Sequence, residues 1–284
     1  MKKIYYISYL IVLLTLVSAL VGIFYTTGGE RLLVDNIYGE SVELFGDGIY
    51  RYNSIIKAAG NKGTDIVMLL VASAFGLLTH NSKKSNRFKF WQVGLLAGLF
   101  YYSACLVFGV TFNSLFPVYV ALFSGSLFML IILICDLIKT DNLIDTITDI
   151  NLKGTAIFLL ICGLSVLVWL EFIIPAVISG KPLSMIEIYT TEPTFVLDLA
   201  IVLPIYIFSA FALLKSKIIG YKLTPLLLTF ITIVGLTVIS QNVVQTVMGV
   251  DIPLKDLIVL VISFVILGVI ATLLNFRFVK YIKH

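Results

Sequence analysis

The run PVYVALFSGSLFMLIILICDLI, from Pro117 to Ile138, carries a single charged side chain, Asp136, close to its end. A helix of about 20 apolar residues is needed to cross roughly 30 Å of hydrocarbon, where each unpaired backbone amide costs several kcal/mol. This run meets that requirement. Seven more segments of the same kind lie on either side of it, near Ile4 to Phe24, Asp65 to Thr79, Trp91 to Phe112, Thr155 to Ile178, Pro193 to Leu214, Leu223 to Gln245 and Leu254 to Phe276. The expectation is an all-α membrane protein: an eight-helix transmembrane bundle forming a single transmembrane domain over residues 1-284, in which helix 2 is unusually short.

Composition points the same way. Hydrophobic residues make up 60% of the chain and charged residues 13%, against about 25% charged in soluble domains. The longest polar stretch, the outer loop 25-64, is too short to build an independent core, so no soluble catalytic domain is expected.

Lysine and arginine resist translocation and so mark the cytoplasmic side. Placing the amino terminus inside leaves Arg31, Arg51, Lys57, Lys62, Lys181 and Lys255 outside and all the rest of the 20 Lys and Arg residues inside. The loop from His80 to Phe90, with Lys83, Lys84, Arg87 and Lys89 and no acid, is the strongest marker. Both termini are therefore expected in the cytoplasm. Richness in Ile, Lys, Asn and Phe, with no organellar transit segment, fits a bacterial plasma membrane. Lys2-Lys3, the apolar run after them and Val17-Ser18-Ala19 imitate a secretory signal peptide; a retained first helix is expected, because that helix has a counterpart in an internal repeat.

The repeat rests on two anchors with one offset. Ser73-Ala74-Phe75-Gly76-Leu77-Leu78 matches Ser209-Ala210-Phe211-Ala212-Leu213-Leu214, and Phe116-Pro117 matches Ile252-Pro253. Ser18-Ala19-Leu20-Val21 pairs with Ser165-Val166-Leu167-Val168 at a larger offset, which the longer first outer loop explains. Duplication would give two parallel four-helix repeats, 1-139 and 153-284, related by an axis along the membrane normal. Chance similarity among apolar segments is the other explanation, and both stay open.

Few residues can carry chemistry. Cys105, Cys135 and Cys162 all fall in apolar runs without paired spacing, and His80 and His284 are the only histidines, so neither a disulfide framework, a metal site nor a Ser-His-Asp triad can be assembled. No catalytic residue and no cofactor is expected. Ionisable groups inside a span are functional candidates by default. Glu171, beside Trp169 at an expected interfacial position, reads either as a ligand group or as a carboxylate snorkelling outward or paired with a neighbouring helix. Asp198 lies about one turn into helix 6 if Thr191 caps that helix and Pro193 opens it, with Ser209 about three turns further along the same stripe. Asp65 reads as an acid in the first turn of helix 2, where it complements the dipole.

Thr237, Gln241 and Gln245 form a polar ladder on helix 7, with Asn242 beside it; such amides act as helix-helix glue or line a site. Glu171, Asp198, Gln241 and Gln245 all fall in the outer half of the membrane and form the candidate ligand-binding set. Residues Gly48 to Ile56 make an aromatic, amphipathic stretch that reads either as an interfacial helix or as a lid over the bundle. The acids before it, Glu30, Asp35, Glu40, Glu43 and Asp47, lack the alternation of an EF-hand loop. Asp136, Asp141, Asp145 and Asp149 read as a solvated face, with magnesium-pyrophosphate chemistry as a distant alternative.

Gly48-Ile49-Tyr50-Arg51-Tyr52-Asn53-Ser54 running to Gly63-Thr64-Asp65, and Trp169-Leu170-Glu171 through Pro175-Ala176 to Asp198, resemble a pattern in an uncharacterised bacterial multipass integral membrane protein family. The resemblance implies a membrane location and no particular activity. Three functions remain in view. The first is small-molecule transport or ligand binding in the membrane. The second is a non-catalytic accessory, assembly or sensor subunit with a protein partner or a second copy of itself. The third is a magnesium-dependent lipid-modifying enzyme. Membrane lipids are expected partners, because basic loops attract anionic headgroups; nucleic acid is not.

Overall fold

In the computed structural model, which describes residues 2–81, 85–139, 152–183, 185–280 and 282, eight helices are long and apolar enough to cross a membrane. They are α1 (Ile4–Phe24), α2 (Ile55–Asn81), α3 (Arg87–Gly109), α4 (Phe116–Lys139), α5 (Leu152–Ser179), α6 (Pro193–Leu214), α7 (Ile218–Val247) and α8 (Leu257–Val279). The chain is a polytopic membrane protein. Large apolar side chains such as Leu13, Leu70, Phe128, Ile157 and Leu273 stand exposed on the outer flanks of the helices, where lipid is the solvent that accommodates them. Lys83, Lys84, Asp141, Asp145, Asp149, Lys283 and His284 lie outside the described residues.

An even number of crossings puts the start of α1 and the end of α8 on one face. The opposite face carries the hairpin β1 (Leu32–Asp35) and β2 (Ser41–Leu44), antiparallel with Leu32 opposite Leu44 and Asp35 opposite Ser41. Consecutive helices pack together in each half: α1 with α2, α2 with α3, α3 with α4, then α5 with α6, α6 with α7, α7 with α8. The halves meet where α7 lies against α2 and α3 and where the start of α6 touches α3. At the α2–α7 contact Gly63 has no side chain to hold the backbones apart: a Cβ there would stand 2.5 Å from the Cα of Gln241.

Helix 2 is longer than the sequence suggests. It begins at Ile55, not near Asp65, because the charges that resemble a loop find tertiary partners. Lys57 pairs with Glu192 at 2.5 Å, and Lys62 Nζ donates to the carbonyls of Gly22 and Ile23 at 2.9 and 3.1 Å. The last carbonyls of a helix have no intrahelical donor and carry partial negative charge, so Lys62 closes the end of α1. The same device recurs. Lys222 donates to Ile138 O at 2.8 Å near the end of α4, Arg31 to Met248 O at 3.0 Å after α7, and Arg87 to Lys280 O and Ile282 O at 2.9 and 3.1 Å after α8. Four helix ends thus borrow a cation from another element.

The connection after α1 folds down over the bundle rather than lying along the interface as a helix. Tyr50, Asn53 and Ser54, in its last turn before α2, are fully buried. Asp47 organises the strap, accepting from Thr27 N at 2.6 Å, from Gly48 N and Thr26 Oγ1 at 2.8 Å and from Thr27 Oγ1 at 3.0 Å. Desolvation works to raise the Asp47 pKa, but these donors outweigh it and hold the carboxyl well below the usual carboxylate range.

Candidate functional site

Two aspartates lie inside the hairpin half of the bundle, and consecutive residues of α3 reach both. Asp65, on α2, is fully buried; its Oδ1 accepts from Tyr102 Oη at 2.6 Å and its Oδ2 from Tyr50 Oη at 2.8 Å. Asp198, on α6, is 8% exposed; its Oδ1 accepts from Tyr101 Oη at 2.9 Å and its Oδ2 from Trp169 Nε1 at 2.7 Å. A carboxylate away from water must have its oxygens met by donors. A phenol or an indole meets each of them with one N–H or O–H on an otherwise apolar body, which suits this depth.

Asp65 is therefore not a first-turn cap. It sits well inside α2, and α1 reaches it only because residue 22 is glycine: a Cβ at Gly22 would stand 1.9 Å from Asp65 Oδ2 and 2.9 Å from the Tyr50 hydroxyl. Asp198 is positioned differently. Pro204 lacks the N–H that would bond four residues back and its ring crowds that carbonyl. The helix widens to a π turn over Asp198–Val202, in which Leu203 N–H reaches Asp198 O. Opposite it, α5 tightens into a 3₁₀ turn over Val166–Trp169, with Leu170 N–H bonding Leu167 O. The two irregular turns touch. The Trp169 ring turns inward, away from the interfacial position its sequence context suggests, and stacks on Phe195 with centroids 4.7 Å apart. The cap of α6 is Glu192, not Thr191, with Pro193 following it as expected.

Above Asp198 a polar layer seals the hairpin face. Lys57 lies 5.4 Å from the Tyr189 ring centroid while paired to Glu192. Tyr189 Oη donates to Asn53 Oδ1 at 3.1 Å and accepts from Ser54 N at 3.2 Å, and Asn53 Nδ2 donates to Thr111 Oγ1 at 2.8 Å. Ser54 Oγ donates to Glu187 Oε2. Burial pushes the Glu187 carboxyl above its usual value, against the opposing effects of Ser54 and Lys57. Glu187 is also one of the few non-glycine residues with positive φ, 49°, a conformation that costs energy and is held by Asn36 Nδ2 donating to Glu187 O at 2.9 Å.

The four residues singled out from sequence do not form one hydrogen-bonded group. Glu171 sits at the rim, paired with Lys255 of the segment leading into α8. Gln241 Nε2 donates to Thr64 Oγ1 at 2.8 Å and Gln245 Nε2 to Ile56 O at 3.4 Å, so these two link α7 to α2. Asp198 alone joins the aromatic network, and among the described residues no hydrogen bond connects any two of the four. Ser209 is fully buried and its Oγ has no partner. Asp65, Tyr50, Tyr101 and Tyr102 were not legible as a group, since tyrosine is unremarkable in a membrane helix and its partners lie on other elements. Among the described residues no three His, Cys, Asp or Glu side chains cluster to hold a metal ion. No protein-family model, curated protein or solved structure matches the chain.

Proposed function

We propose that the protein binds, and carries across a bacterial plasma membrane, a small solute whose site is built round Asp198 in the hairpin half, with the hairpin outside and the termini in the cytoplasm. The observation that carries this reading is the paired irregularity at Asp198. Two neighbouring helices leave α geometry at the same place, one as a π turn and one as a 3₁₀ turn, round a carboxylate within the membrane. π turns concentrate at functional sites, interrupted membrane helices supply ligands near the bilayer interior in carriers, and an intramembrane acid is costly to keep without a task. Glu192 and Glu187 beside Lys57 favour a solute bearing positive charge or a donor proton. Glu171, Gln241 and Gln245 belong to the walls of the same half. Two four-helix repeats, 1-139 and 153-284, suit this reading, although the acids differ in their partners: Asp65 uses two tyrosines of its own half, Asp198 a tyrosine of the other half and a tryptophan of its own.

The test is purification from native membrane in mild detergent, with mass spectrometry of everything retained by wild type and by Asp198→Asn. A stoichiometric small molecule bound to wild type and lost from a folded Asp198→Asn supports the reading. A stoichiometric protein partner with no such molecule, in both forms, would replace it with an accessory subunit.

A further inference from the structure

The other half of the bundle, nearer the termini, holds a groove of about 220 Å³ between α7 and α8, closed on one side by α2 and α3. Its polar lining is Thr229, Thr232, Thr272 and Asn275, and Trp91, Leu95 and Phe276 supply much of the apolar wall. Asn275 is 7% exposed and its Oδ1 has no partner among the described residues. The orientation of that amide follows from its neighbour. Thr229 Oγ1 donates its one proton to Pro225 O at 2.8 Å, so toward Asn275 it can only accept, and it does so from Nδ2 at 2.8 Å. The amide oxygen is therefore the atom left over. Thr232 and Thr272 are similarly committed: each hydroxyl lies 2.9 or 2.8 Å from the carbonyl four residues back, and the two are hydrogen-bonded to each other at 3.1 Å with either as donor, so both of their protons are in use.

Among the described residues that line it, the groove thus offers hydrogen-bond acceptors, no uncommitted hydroxyl proton and no charged side chain. A buried unmet acceptor is disfavoured, and what answers it must bring a donor without bringing a charge, because no described residue of the lining would neutralise one. The volume is below the roughly 300 Å³ at which pockets enclose a whole drug-sized ligand, so it seats the head of a larger molecule whose tail stays among lipid. Phe276 stands 58% exposed at the rim, edge-on to Trp91 with ring centroids 6.0 Å apart. Asn275 lies about 6 Å from the end of α8 at 1.5 Å per residue, a depth that a head without charge can occupy.

We propose that this groove is a binding site for an uncharged lipid carrying a hydroxyl head, an acylglycerol or a prenyl alcohol, whose hydroxyl donates to Asn275 Oδ1. It is separate from the Asp198 site and does not depend on the solute proposed there.

The chain has two tryptophans, and Trp91 lies on the groove, so a brominated lipid reports occupancy by quenching. The full-length protein in nanodiscs is titrated with dibrominated diacylglycerol and, separately, with phosphatidylcholine bearing the same brominated chains; Trp91→Phe identifies the quenching that belongs to Trp91. Diacylglycerol is expected to quench that component saturably, with roughly tenfold preference over phosphatidylcholine, the equivalent of one well-made hydrogen bond. Asn275→Leu is expected to remove that preference, and Thr272→Val to reduce it if Asn275→Leu does not fold. Displacement of the probe by unbrominated dioleoylglycerol or by geranylgeraniol identifies which source of the chemistry seats better. Equal quenching by both brominated lipids overturns the proposal, as does full preference retained in the folded variants.

Discussion

Replacing Gly22 by alanine drives a methyl group to within 1.9 Å of Asp65 Oδ2 and 2.9 Å of the Tyr50 hydroxyl, whereas ordinary Cβ contacts begin near 3.4 Å. Either α1 backs away from α2 or Asp65 gives up Tyr50. Overpacking of the first kind costs about 1–3 kcal/mol, and stranding a buried acceptor costs a similar amount. Alanine recovers about 1 kcal/mol of helix propensity over glycine, so from a cost centred near about 2 kcal/mol the expected net loss is about 1 kcal/mol. Gly76→Ala is the matched control at the same α1–α2 interface, since its Cβ would meet only the Val12 side chain at 3.5 Å; it keeps the propensity gain without the clash. Equilibrium unfolding in mixed micelles, titrated with a denaturing detergent and followed by circular dichroism, should separate the two variants by about 2 kcal/mol, the cost of the clash alone, because the propensity gain is common to both. If Gly22→Ala is as stable as Gly76→Ala, α1 does not rest against Asp65 and the account of that carboxylate fails.

Tyr102→Phe removes the 2.6 Å donor to Asp65 Oδ1 and should cost about 1–3 kcal/mol in the same titration, while Glu171→Gln at the exposed rim should change stability by no more than about 1 kcal/mol. Gln241→Leu is expected to cost about 0.6 kcal/mol, the average for a hydrogen bond between membrane helices; a loss several times larger would mean that the Thr64 contact is not its main role. For Asp47, whose pKa is held below its unfolded value, the stabilisation is present above the ordinary carboxylate value of 3.8 and fades as pH falls through the lowered one. Amide exchange at Thr27 and Gly48, corrected for intrinsic rate, should therefore accelerate in strong acid. Glu187 has the opposite sign. With its pKa raised above 4.5, docking of its loop on Ser54 should strengthen as pH falls through the raised value towards 4.5, so limited proteolysis between residues 180 and 192 should slow over that range, and Glu187→Gln should flatten the response.

The eight crossings were legible because lipid leaves an apolar segment few alternatives. What the sequence concealed was how charges near the ends are used. Lys57 and Lys62 resemble loop residues until Glu192 and the carbonyls at the end of α1 are seen beside them, and that is why α2 begins at Ile55 rather than near Asp65. Lys222 and Arg87 read as topology markers yet also close the ends of α4 and α8. Asp198 stood out because a charge in an apolar run is rare, and the π turn around it follows from Pro204. Asp65 was misread as a cap, since Gly63-Thr64 before it looks like a helix start and only the tertiary contact places Tyr50 and Tyr102 on its oxygens. The Gln241–Gln245 ladder was visible as a stripe, but its orientation toward α2 was not.

Tyr101 and Tyr102 are neighbours in sequence, and on a helix of 3.6 residues per turn they point about 100° apart. One reaches Asp198 in the second half of the chain and the other Asp65 in the first. α3 consequently acts as a shaft keyed at one level to both halves. It cannot turn about its own axis, or slide along it, without disengaging both keys together, so any rearrangement that moves one half past the other must either carry α3 as a rigid piece with one of them or release a tyrosine from its acid.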